Sequence, residues 1–157
     1  MANTQAKLED KIGQLVDDAE RMVRHFFPPR PQPRDDAKKD ESPGKTQLSN
    51  AIDVIVQSKS IEVFTNWIRY QMARELEKTR GKREDSESRD KFWTVQKDSK
   101  MFGSEVIAYA SSLKDACGTD RDEAIRQLNH FLGFLRRAFI ARDLLGILPA
   151  FEEGKKS

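Results

Sequence analysis

Two histidines and one cysteine are the residues of this chain best suited to bond chemistry, and their spacing gives them little to work with. His25 and His130 are far apart, and neither has a cysteine or a second histidine one helical turn away, the arrangement that holds a metal ion. Both are expected on a surface or a helix face. Cys117 is expected at the end of a helix, where the backbone dipole disfavours a thiolate. The GKT within Pro43 to Gln47 lacks the upstream glycine and buried strand of a phosphate-cradling loop. Catalysis needs a nucleophile, a base and a group to orient them. With none of these brought together, the expectation is a non-enzyme with no catalytic residue, no metal and no cofactor.

Cations remain. At about 100° per residue, Arg126, His130, Gly133 and Arg137 share one helical face, with Asn129 and Arg136 between that face and the apolar one. A contact to a sequence-neutral polyanion needs such residues, because phosphates are met by charge rather than by base-reading shape. Arg69 and Arg74 lie on the helix expected from Ile61. Five residues apart, they lie about 140° around a helix from each other and so serve different neighbours. Arg80, Lys82 and Arg83 belong to the polar stretch TRGKREDSESRD, which reads either as a solvated loop or as a basic finger reaching a phosphate backbone. Every one of these cations also reads as a solvated charge or an intrahelical pair, as with Arg74 near Glu77 and Lys78.

The totals narrow the classes. The chain has 157 residues, enough for one domain with a real core. Charged residues make up 34% and the hydrophobic set 37%, so much of the length must be surface helix, linker or disorder. Against 26 acidic side chains stand 28 basic ones, a net charge of +2, so a nucleic-acid partner must be argued from local clustering. A single cysteine excludes an internal disulfide and fits a reducing compartment. No apolar run is long enough for a membrane span, and MANTQAKLEDK lacks the apolar core of a secretion signal. A cytoplasmic protein with no membrane partner is expected.

The elements that must position the cations are helices. Leu8, Ile12, Leu15, Ala19, Met22 and Phe26 alternate spacings of four and three, a heptad-like seam over residues 1–27. That seam serves either a helix docked on the domain or a coiled coil with another copy or another protein. Pro28, Pro29, Pro31 and Pro33 then stop the helix, and residues 28–45 read as an extended linker whose PxxP-like spacing also suits an aromatic groove. A helical bundle is expected over 46–148. Leu48, Ala51, Ile52 and Ile55 mark one helix from Thr46. Ser58 to Ser60 break it, with a serine to cap the next, and Ile61, Phe64, Ile68 and Met72 mark that one, with Trp67 at its edge. Phe92, Trp93 and Val95 open an apolar cluster, followed by a helix from about Ser99 to Ala116. In it Gly103 suits a close crossing, and Gly118 suits a left-handed stop. Thr119 with Asp122 resembles a capping box for the last helix, lined by Ile125, Leu128, Leu132, Leu135 and Phe139, with Phe131 at its margin. That helix fades near Leu145, and residues 149–157 form a tail. The fold class expected is all-α: a compact bundle of about five helices, its N-terminal heptad-like helix joined by a proline-rich linker.

Three stretches, TQLSN opening a helix at Thr46, IRYQMAR at Ile68 to Arg74 and LNHFLGFLRRAF at Leu128 to Phe139, resemble the small helical subunit of type III CRISPR interference complexes. The likeness covers about residues 46–142. It implies a noncatalytic subunit of an antiviral ribonucleoprotein, present in several copies stacked along its belly. Such a subunit contacts the guide RNA, the target strand and neighbouring subunits, including copies of itself. Arg126, Arg136 and Arg137 are then the first RNA-contact candidates, Arg69 and Arg74 the second, and Arg80, Lys82 and Arg83 the third. The competing reading is a helical scaffold or adaptor that oligomerises through its N-terminal helix and binds a protein partner without RNA.

Overall fold

In a computed structural model, residues 2–29, 42–80 and 91–145 are described, and they form an all-α bundle. Five α-helices carry it among the described residues: α1 (Ala2–Phe26), α2 (Ser42–Ser58), α3 (Ile61–Thr79), α4 (Phe102–Cys117) and α5 (Arg121–Ile140). A small antiparallel hairpin, β1 (Gln96–Lys97) and β2 (Lys100–Met101), precedes α4, and a 3-10 turn (Arg142–Leu144) follows α5.

The packing follows from the apolar stripes. α5 is the central helix, with α1, α2 and α4 packed on it, while α3 packs on α2 and α4. Leu48, Ala51 and Ile55 of α2, Ile61, Phe64 and Ile68 of α3, and Leu128, Leu132, Leu135 and Phe139 of α5 are all buried, as their spacing predicts. Each of these leucine, isoleucine and phenylalanine side chains contributes about 1.5–3 kcal/mol relative to leaving it in water. Phe131, expected at the margin, is fully buried, because the Tyr109 ring of α4 stacks on it with centroids 3.9 Å apart.

The seam of α1 belongs to this same core. Leu15, Ala19, Val23 and Phe26 are buried, so α1 docks on the bundle as one of its walls, the first of the two readings of its seam. Packing this stripe on α5 removes its apolar surface from water. Tyr109 reinforces the docking by donating its hydroxyl to Asp18 Oδ2 at 2.6 Å. Burial and the Asp18 carboxylate together push the Tyr109 hydroxyl well above its ordinary pKa.

Three boundaries differ from expectation. α2 starts at Ser42 rather than Thr46 and so takes in Pro43, because proline is tolerated in a first turn whose amides have no helical acceptor. α4 starts at Phe102 rather than Ser99. Asp98 and Ser99 instead adopt positive φ angles of 53° and 66° and close the hairpin, as the central pair of a two-residue turn must. The cap of α5 is Asp120 rather than Thr119, its carboxylate accepting from the Glu123 amide at 3.2 Å. Other expectations are met. Ser60 caps α3 by accepting from the Val63 amide at 3.1 Å, and α4 ends at Gly118 with φ of 58°. The expected tail at 149–157 lies outside the described residues.

One aromatic cluster joins the ends of several elements. Phe27, just past α1, stacks on Phe92 and meets the edges of Phe102 and Phe139, and Trp93 stacks on Phe102. Gly44 reaches this cluster from α2. A side chain there would collide with the Phe139 ring and come within 3.0 Å of Phe92. Beside it, the guanidinium of Arg142 lies 4.4 Å from the Phe139 ring centroid and donates to the Phe139 carbonyl at 3.1 Å. Gly103 permits the expected close crossing. Its amide donates to the Trp93 carbonyl at 2.7 Å, and an added Cβ would sit 2.6 Å from Met72 Sδ of α3.

Candidate nucleic-acid interface

The segment between α3 and α4 is held by a buried carboxylate. Glu75 of α3 accepts from the backbone amides of Phe92, Trp93 and Thr94 at 2.9, 3.0 and 2.9 Å, and from the Thr94 hydroxyl at 2.9 Å. Amides donating in concert suit an anion, and hydrogen bonds to an ionised acceptor are about twice as strong as neutral ones. The indole N–H of Trp93 donates to Gln47 of α2 at 3.0 Å, which ties the segment to a third helix. This lock ties α3, which carries Arg69 and Arg74, to α2.

On α5 the candidates divide. Arg137 is exposed, and its guanidinium lies 5.9 Å from the Phe134 ring centroid. One turn earlier the His130 ring is nearly parallel to Phe134, with centroids 6.2 Å apart and an interplanar angle of 18°. Arg126 is exposed on the same ridge but held by Glu123, 2.6 Å from its Nη1. Arg136 is off the ridge. It is half-buried toward α2, and its Nε donates to the Ser49 hydroxyl at 2.9 Å. Of the expected arginine triad, one guanidinium is thus open, one is drawn to an acid and one fastens two helices together.

On α3, Arg69 and Arg74 are both exposed, and Arg74 lies 5.8 Å from the ring centroid of Tyr70, itself 53% exposed. Arg80 is exposed just past α3, its amide donating to the Glu77 carbonyl. Lys82 and Arg83 lie outside the described residues. Arg74 and Arg137 therefore each sit over an aromatic ring within one helical turn. Periodicity places the cations, whereas neither Phe134 nor Tyr70 is singled out by it. Their i,i+3 and i,i+4 spacing to arginine is the signal that could have found the pairs.

Other charged groups are committed elsewhere. Lys114 of α4 meets Glu62 of α3 at 2.8 Å. The Lys114 hydrogen bond, aided by the backbone at the start of α3, pulls the Glu62 carboxyl from its ordinary 4.5 down to about 2. His25 faces Asp98 across 3.5 Å. Burial, with Glu123 and Asp120 nearby, pushes the Cys117 thiol up, away from the reactive thiolate. Among the described residues no group of three or more His, Cys, Asp or Glu is placed to hold a metal ion, and no helix is long and apolar enough to cross a membrane.

The residues that carry the family likeness have structural duties here. Gln47 holds the Trp93 indole, Leu48 is buried, Ser49 receives Arg136, and Met72 fills the space that Gly103 leaves. No family model, no curated protein and no solved structure matches the chain.

Proposed function

We propose that this chain is a noncatalytic small subunit of a type III CRISPR ribonucleoprotein effector, contacting the backbone of guide RNA or target strand and neighbouring subunits in antiviral defence. The observation that carries the reading is the exposed ridge of α5, where Arg126, His130 and Arg137 follow one another and Arg137 lies over Phe134. Planar cations interleaved with rings are what RNA surfaces use, since a guanidinium meets phosphate and stacks while an aromatic ring accepts an unpaired base. Arg74 over Tyr70 repeats the arrangement on α3.

The direct test is purification of the full chain from its native host under low salt. The reading expects other subunits and a discrete RNA to come with it; a chain recovered without RNA sinks it. In binding measurements on that complex or on the free chain, Arg137→Ala should weaken RNA binding and lower the steepness of its salt dependence, by about 0.7 per lost single-strand phosphate contact. Arg136→Ala is a poorer probe, because it also breaks the α5–α2 contact to Ser49.

A further inference from the structure

Between α2 and α3 runs a shallow groove lined by Val54, Gln57, Val63, Asn66, Trp67 and Tyr70. It is distinct from the α5 ridge and combines three properties. Its aromatic wall is rigid, because Trp67 meets the buried Trp93 edge-on with centroids 6.0 Å apart, and Trp93 is held by Gln47. Four of its polar side chains are unengaged: among the described residues the carboxamides of Gln57 and Asn66, the indole N–H of Trp67 and the hydroxyl of Tyr70 make no hydrogen bond, while Ser58 bonds with Ser60. And among the described residues no carboxylate lines it, while Arg74 lies over Tyr70 at its rim.

We propose that this groove is a subsite for an unpaired nucleobase of single-stranded RNA, an inference that rests on the RNA-contact reading above. The base stacks against Tyr70 and the exposed part of Trp67. Gln57, Asn66 and the Trp67 N–H meet its donors and acceptors, and Arg74 takes the adjoining phosphate. Carboxamides offer both a donor and an acceptor, so the groove takes any base whose edge is free and rejects a base already paired in a duplex. An apolar protein side chain would use the apolar floor but leave the amides and the arginine rim without partners. That charge and hydrogen-bond complementarity is the reason to favour RNA as occupant.

The test uses the full chain, a short oligouridylate and an abasic oligomer of equal length and charge, at low salt. Trp93 is fully buried, so a change in tryptophan emission on binding reports Trp67. The expected result is quenching by oligouridylate alone, binding tighter than that of the abasic oligomer by about tenfold or more, and loss of that advantage in Tyr70→Ala. Tyr70 is 53% exposed, so its removal leaves the core intact, and Asn66→Ala, also exposed, provides a second probe. If both oligomers bind equally with the same salt dependence and Tyr70→Ala changes nothing, the base subsite is wrong and the backbone reading stands. If neither oligomer binds the chain, free or within its purified complex, both fall. If Tyr70→Ala instead abolishes a concentration-dependent self-association without affecting RNA, the groove is a protein-docking surface and the base subsite is again wrong.

Discussion

Glu75 shows how much one side chain can organise. Its carboxylate answers three consecutive backbone amides that would otherwise be buried without acceptors. Glu75→Ala should lower the unfolding free energy by about 3 kcal/mol, because each unsatisfied buried donor costs about 1–3 kcal/mol and the loop can relax only in part. Glu75→Gln, which keeps an acceptor oxygen, should lose less; urea denaturation monitored through tryptophan emission measures both. Glu62 offers a pH-linked test at the same scale. Its folded pKa lies below its unfolded one, so the stability it confers is fully present above about 4.5 and is lost as the pH falls through about 2. A carboxyl NMR titration should find its midpoint near 2, and Lys114→Ala should bring it back toward 4.5. Neither role was readable beforehand. Glu75 looks like any acid on a charged helix, and the amides that need it are contributed from residues 92–94, far along the chain.

At the scale of elements, the start of α5 separates two readings of one sequence. The spacing from Thr119 to Asp122 suggests a capping box, whereas Asp120 supplies the hydrogen bond. Asp120→Ala should therefore cost about 1 kcal/mol in thermal or urea unfolding, and Thr119→Ala much less. Where apolar residues recur at three and four over many turns, as in α2, α3 and α5, the helix and its buried face were legible, because long periodic signals survive local noise. The hairpin at 96–101 was not. Its strands are two residues each, and Asp98 and Ser99 take left-handed angles without the glycine that would announce them. The ridge of α5 was half legible for a related reason. Helical angle places Arg126 and Arg137 correctly, but the hold of Glu123 on Arg126 and of Ser49 on Arg136 depends on rotamers and on a second helix.

For the whole molecule, the decisive fact is that α1 closes the core over α5. The seam of Leu15, Ala19 and Phe26 was legible as a seam, but its partner was not, since a heptad pattern describes a stripe without saying what covers it. Deleting residues 1–27 should uncover the α5 face, abolish cooperative unfolding and promote aggregation. A truncated chain that still unfolded in one sharp transition by near-ultraviolet circular dichroism would contradict this packing.

Phe27 and Gly44 both rest against Phe92 and Phe139, so the two flanks of residues 28–43 are moored to one harbour. A peptide bond severed between them would separate the fragments in name only. Residues 1–27 would stay seated as a noncovalent wall, and splitting the gene at that point should let two co-expressed pieces rebuild the same particle.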